Sequence, residues 1–489
     1  MKKKMFKRAG VAVLSMAMLL SMGAVGAISA SAYGTGYGGL TLNSTASEIK
    51  AYKVAEFTGG AWSWVTGIDT VTSSDMNTVT ASGTADDAAA LKTIADKLAK
   101  DSHLGSGTTL NATSENELPA GYYLIVSKGA GKIYQNKLVE VKANEGKTLN
   151  NDKASPITVN KTITGVETNK GGVISSTDNK KASAQNGATI TYQIVTDIPT
   201  YSSQATIANM ADYMIVDDYD DTFTDVAISS VVIDSTTPTN LTQVTTEDGI
   251  AGAENAGKYY YSAANIAEGN KGFTIKINKK SILDNGGKHV TVTFTAKLNT
   301  DARSNYEYPN DVDFTYDNTF NATGGTDTLE SDAKVYSVPI EVFKYHDVSG
   351  QETAITSGDA VFKLKNTTTN VEYQENTNAN GKAIFTSLPA GTYELTETTP
   401  PAGYKKIDTT ITLVVTVGTD GSVNVTESGT PLTKDGIYFQ RKVENTPQES
   451  LPGTGGMGTI MFTVGGAAIV LCAGFMFVIY MRKRRAEEE

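Results

Sequence analysis

Two lysines stand where lysines are rarely placed. In Ile157-Thr158-Val159-Asn160-Lys161 and again in Ile340-Glu341-Val342-Phe343-Lys344, the pattern Ile-x-Val-x-Lys puts the amine on the same strand face as two β-branched residues. A lysine turned toward a core loses its hydration, and its pKa falls because desolvation disfavours the charged form. The neutral amine that results is a nucleophile, which an ammonium is not. Other chemistries are thinly represented. The three histidines, His103, His289 and His346, fall in no metal or triad spacing, and neither a phosphate loop after a strand nor a nucleophile elbow is apparent. The acidic run Asp217-Asp218-Tyr219-Asp220-Asp221 lacks the glycine and the twelfth-position glutamate of a calcium loop, so it reads as a solvated turn. No metal and no other cofactor is expected.

The elements that must position these lysines are strands. Thr189 to Thr196, Phe273 to Asn278, Val290 to Leu298, Thr412 to Val417 and Ser422 to Thr426 alternate with period two and are rich in Val, Ile, Thr and Tyr. Turn clusters such as Asp284-Asn285-Gly286-Gly287 and Thr419-Asp420-Gly421 separate them. This pattern predicts an all-β chain of tandem immunoglobulin-like β-sandwich domains. One helix is predicted over Asp86 to Lys100, where Leu91, Ile94, Ala95 and Leu98 share a face. Two echoes mark the domains: the Ile-x-Val-x-Lys strands, and the Leu-Pro-Ala-Gly-x-Tyr element at Leu118 to Tyr123 and at Leu388 to Tyr393. Boundaries are expected near residues 152 and 337, giving domains over 33–152, 153–337 and 338–446.

The chain ends carry targeting signals. Lys2, Lys3, Lys4, Lys7 and Arg8 precede an apolar run and Ala30-Ser31-Ala32, which reads as a secretory signal over 1–32. At the other end Leu451-Pro452-Gly453-Thr454-Gly455 precedes an apolar stretch from about Met457 to Met481 and the cluster Arg482-Lys483-Arg484-Arg485. The stretch is long enough to span a bilayer and the cluster predicts a cytoplasmic end. Between signal and sorting motif lie 33 basic and 50 acidic residues, a net charge of about −17, which argues against nucleic acid as a partner. The one cysteine, Cys472, falls in the apolar stretch, so the exported portion has no disulfide.

Several motifs resemble Gram-positive surface proteins. The order of pentapeptide, span and basic tail resembles an LPxTG sorting signal, in a segment taken as 447–489. That resemblance implies a sortase cutting between Thr454 and Gly455 and transferring the Thr454 thioester to an amine. Tyr393-x-Leu395-x-Glu397-x-x-Pro400-Pro401-x-Gly403-Tyr404 resembles the E-box of CnaB-type immunoglobulin-like domains, with Pro400 in place of the usual alanine. The CnaB resemblance implies an amide bond from Lys344 to Asn445, assisted by Glu397 as a buried, protonated acid. The middle domain resembles the isopeptide-forming D2 domain of pilins. It implies Lys161, Asp217 and Asn318, with Asn310 as the fallback because both asparagines fit an alternating strand. Bonds to Asn318 and Asn445 would close loops of 157 and 101 residues. No internal bond is expected in the first domain, which lacks the E-box glutamate.

Together these resemblances imply a structural, non-enzymatic backbone pilin, secreted and anchored in the cell wall. A class C, pilin-type sortase would join Thr454 to a lysine of the next identical subunit, head to tail, and a housekeeping sortase would attach the fibre to peptidoglycan. Lys153, eight residues before Lys161, is the expected acceptor, although Asn-Asp precedes it where the pilin motif has Tyr-Pro; Lys142 is the second candidate. Ancillary pilins are further implied partners. The competing reading is a wall-anchored adhesin or ancillary pilin that binds a ligand through its loops.

Overall fold

The computed structural model describes residues 35–81, 89–129, 131–150, 154–202, 204–234, 237–267, 270–299, 307–318, 325–356, 360–448 and 457–487. The signal segment, Lys153 and the pentapeptide 451–455 lie outside the described residues. The chain divides into two compact units, one of residues 1–129 and 134–154, the other of 130–133 and 155–489.

In the first unit, Tyr37–Asn43 is the middle strand of a three-stranded sheet, antiparallel to Glu115–Pro119 and parallel to Gly146–Asn150. A second sheet is built on the antiparallel pair Glu48–Thr58 and Gly121–Gly129. The predicted helix is observed at Ala89–Leu98 and buries Leu91, Ile94, Ala95 and Leu98. A helix at Ser73–Ala81 was not predicted, because only Met76 and Val79 are buried along it, too few to give a helical period. Its signal is at the start: Thr72 N donates to Asp75 Oδ2 at 2.8 Å and Asp75 N donates back to Thr72 Oγ1 at 3.3 Å, a capping box.

The second unit holds two β-sandwich cores in sequence. In the first of them, a five-stranded sheet runs in the order Val159–Val166, Thr189–Asp197, His289–Leu298, Phe223–Asp234, Thr239–Asn240. It packs on an eight-stranded sheet in which Tyr213–Tyr219 lies between Asn270–Ile277 and Glu307–Asp317, with Thr326–Tyr336 beyond. The alternation read from the sequence is the burial pattern: Ile190, Tyr192 and Ile194 point inward, as do Val290, Val292, Phe294 and Ala296. The chain then passes from Thr326–Tyr336 through Ser337 alone into Val338–Val348. This strand opens the second core, where it pairs in parallel with Tyr438–Glu444. Gly391–Thr399, between Val361–Asn366 and Ile411–Val417, forms the middle of the opposing sheet.

The apolar stretch near the C-terminus is a single helix, Met457–Ala486, long and apolar enough to cross a membrane.

Candidate functional site

Inward alternation carries three polar residues into the first core of the second unit. On Val159–Val166 the buried positions include Lys161 and Ile163. On Tyr213–Tyr219 they are Tyr213, Ile215, Asp217 and Tyr219. On Glu307–Asp317 they include Tyr308, Asn310, Val312 and Phe314. Lys161, Asp217 and Asn310 each have 0% exposure. Lys161 Nζ lies 2.5 Å from Asp217 Oδ2, touches Asn310 Oδ1, and donates to the Asp311 carbonyl at 3.0 Å. The rings of Tyr192 and Phe294 wall it in, each centroid 5.6 Å from the nitrogen.

Burial dominates the electrostatics here. It lowers the Lys161 pKa, opposed by the charge of Asp217. It also pushes the Asp217 carboxyl up to about 6 from an ordinary 3.8, opposed by Lys161. Both shifts favour moving the proton from ammonium to carboxylate, so that a neutral amine faces a neutral acid.

The structure corrects the asparagine. Asn310, not Asn318, meets Lys161. Asn318 lies just past the end of its strand, where its backbone N–H bonds to Gly325 O at 3.0 Å. Eight residues of extended chain separate the two asparagines, about 26 Å at roughly 3.3 Å per residue. Both occupy the inward parity, so alternation alone does not distinguish them. Cross-strand register does, because Asp217 is opposite Val312 and Tyr219 opposite Asn310.

The second core holds a matching cluster. Lys344 has 0% exposure, Glu397 1% and Asn445 2%. Lys344 lies on the first strand, and the parallel register Tyr345 to Glu444 brings Asn445 beside it; Asn445 N donates to Tyr345 O at 2.9 Å. Glu397 Oε1 is 3.0 Å from Lys344 Nζ, though not aligned as a hydrogen bond, and it accepts from Asn445 Nδ2 at 3.3 Å. The carboxylate is fixed by Ile407 N, which donates to Oε2 at 2.8 Å, and the carboxamide by Lys405 O, which accepts from Nδ2 at 3.0 Å. Asn445 Oδ1 has no hydrogen bond. Burial lowers the Lys344 pKa, opposed by Glu397, and the Phe362 ring lies 5.3 Å from its nitrogen. In the second core the acid lies between the amine and the carboxamide, whereas in the first the amine lies between the acid and the carboxamide.

The remaining candidates are placed as follows. The acidic run divides between a strand end and a turn: Asp217 points inward, while Asp220 Oδ1 accepts from Thr222 N at 2.9 Å and Thr222 Oγ1 at 2.7 Å. Lys142 is exposed just past its strand. Among the described residues, Asp69, Asp101 and His103 form a carboxylate–imidazole group that sequence spacing did not suggest. The buried Asp101 there accepts from Asp69 N, Thr70 N, Thr70 Oγ1 and His103 N at 2.8–3.1 Å. Burial would raise its pKa, but these hydrogen bonds hold it near about 2, so the carboxylate serves as a loop staple.

Residues 346–429 match the family model of the SpaA prealbumin-like fold domain. No curated protein matches the chain. Among solved structures, the chain is similar to the T6 backbone pilin of serotype M6 Streptococcus pyogenes, with 18% identity and a TM-score of 0.55 over 86% of this chain and 100% of that one. It is also similar to the fimbrial protein FimP from Actinomyces oris, with 14% identity and a TM-score of 0.50 over 86% and 99%. At these identities the likeness establishes the shared fold of tandem β-sandwich domains.

Proposed function

We propose that this chain is the shaft subunit of a covalently polymerised pilus on a Gram-positive cell surface. Two internal amide bonds, Lys161–Asn310 and Lys344–Asn445, stabilise it. The observation that carries the reading is the pair of buried lysine–acid–asparagine clusters. A buried ion pair is poor stabilisation by itself, since desolvating the charges offsets their attraction. A reaction that removes the charge resolves that cost.

The chemistry balances without a cofactor. The neutral lysine nitrogen attacks the carboxamide carbon, and the bond to Nδ2 breaks. One proton passes from the attacking amine to the leaving nitrogen through the carboxyl of Asp217 or Glu397, and ammonia departs. Holding amine and carboxamide together replaces an encounter by a unimolecular step, worth up to roughly 7–11 kcal/mol of barrier. The similarity in fold to a backbone pilin and to a fimbrial protein supports the same reading.

Polymerisation then runs through the ends. A pilin-type sortase forms a thioester at Thr454, and Lys153 of the next copy resolves it, giving an open head-to-tail fibre. Another sortase transfers the last subunit to peptidoglycan. Wall extracts of the producing cell should give a ladder of multimers that survives hot detergent, collapsing to monomer when Lys153→Ala is introduced. A ladder that persists in Lys153→Ala moves the junction to another lysine, Lys142 first. Complete dissociation of the wild-type material, with surface display intact, would instead favour a monomeric anchored adhesin.

A further inference from the structure

One short loop supplies the backbone groups that hold the second cluster. Lys405 O accepts from Asn445 Nδ2 at 3.0 Å, and two residues on, Ile407 N donates to Glu397 Oε2 at 2.8 Å. The leaving nitrogen and the acid are therefore both fixed from Gly403 to Ile407. Little regular structure holds that stretch: Gly403 has φ +83°, Lys405 and Lys406 are exposed, and its one ladder contact among the described residues is the isolated bridge from Tyr404 to Pro447. On one side it is zipped to the segment after Asn445, where Lys405 N donates to Thr446 O at 3.0 Å and Gln448 N donates to Gly403 O at 2.7 Å. On the other side the Tyr404 hydroxyl is hydrogen-bonded with His346 Nδ1 at 3.0 Å, the two rings 5.6 Å apart and both residues half-buried. His346 lies two residues beyond Lys344 on Val338–Val348, so it shares the lysine's face of that strand.

We infer that Tyr404 is a positioning residue for the Lys344–Asn445 bond, its hydroxyl tying the loop to the strand that carries the amine. The inference rests on the reading that Lys344 and Asn445 become joined. Lys344 is fixed by its strand, and the loop pinned to that strand through His346 holds the other two groups. With Oε2 engaged by Ile407 N, Oε1 of Glu397 faces Lys344 Nζ at 3.0 Å and Asn445 Nδ2 at 3.3 Å, the two nitrogens between which a proton must pass. With Nδ2 held by Lys405 O, the carboxamide is kept beside that acid. Tyr404 keeps its own proton throughout; the proton for ammonia travels through Glu397. A misplacement of about 1 Å can slow such a reaction on the order of a hundredfold, so a contact outside the cluster can govern the rate within it.

Tyr404→Phe removes the hydroxyl and keeps the ring. The full mature chain, made by cell-free synthesis and sampled over time, is digested, and the Lys344–Asn445 branched peptide is quantified against the Lys161–Asn310 branched peptide of the same molecules. The expected result is roughly fivefold slower formation of the Lys344 branch, the size of one lost hydrogen bond, with the Lys161 branch unchanged. His346→Phe should slow it equally, and the double variant no further than either alone, because both remove the same contact. Hydrogen exchange separates positioning from a general loosening of the sandwich. In a Lys344→Met background, where this branch does not form, Tyr404→Phe should speed exchange at the Ile407 amide by about fivefold and leave the amides of Gly391–Thr399 unchanged. Normal kinetics in Tyr404→Phe, multiplied effects in the double variant, or faster exchange spreading to Gly391–Thr399 would overturn the inference. A wild-type chain without the Lys344 branch would instead overturn the reading it rests on.

Discussion

An ammonium group without exposure must share its charge or lose it, and the surroundings of Lys161 and Lys344 favour loss. Lys161 faces two aromatic rings, a carboxyl group and a carboxamide, and Lys344 faces one ring and a carboxyl group, each amine without exposure. Replacing the acid should therefore stop the reaction while leaving its partners in place. Asp217→Ala and Glu397→Ala should each raise the intact mass by about 17 Da beyond the change in side chain, from the ammonia retained. The pH dependence follows from the Asp217 shift, whose folded pKa is raised to about 6 from 3.8. A raised value means the folded state holds the proton more tightly, so the contribution is fully present below about 3.8 and is lost as pH rises through about 6. In an Asn310→Ala background, where no bond forms, thermal stability should fall over that window, and Asp217→Asn should flatten the slope.

At the scale of elements, the first strand of each core carries the lysine, and the asparagine sits on, or one residue past, a strand that covers or neighbours it. In the second core those are the first and last strands, paired in parallel. A bond between Lys344 and Asn445 lets tension pass between the termini of that sandwich without shearing its ladder. Lys344→Ala should lower stability by about 4–5 kcal/mol in the chain-entropy model for a closed loop near 100 residues, measured by denaturant unfolding. Much of this architecture was legible in the sequence, because period-two alternation fixes which side chains face inward before any pairing is known. That alternation put Lys161 and Lys344 on apolar faces and the resemblances added Asp217 and Glu397; the structure buries all four. The choice between Asn310 and Asn318 was not legible, since both share one parity and only register across Tyr213–Tyr219 separates them. The Leu-Pro-Ala-Gly-x-Tyr echo, by contrast, has a local cause. Tyr123 and Tyr393 each donate a hydroxyl hydrogen bond of 2.7 Å to the carbonyl of the proline four residues earlier.

For the whole molecule, the absence of cysteine outside Cys472 sets the problem that the proposed amide bonds would answer. Within the second unit the two cores join without a linker, and side chains reinforce the joint. Ala390 N donates to the buried Ser183 Oγ at 2.8 Å, and Tyr373 OH donates to Gln185 Oε1 at 3.2 Å. The two sandwiches should therefore behave as one stiff segment. Combining Ser183→Ala with Tyr373→Phe should broaden the distance distribution from small-angle scattering of the mature chain while leaving both branched peptides intact.

The central claim is that amide bonds replace two buried charges, and mass spectrometry of the mature chain tests it most directly. The account predicts an intact mass about 34 Da below that of the linear sequence, two ammonia losses, and a digest containing Lys161 joined to Asn310 and Lys344 joined to Asn445. A mass equal to the sequence, with only linear peptides, would contradict it.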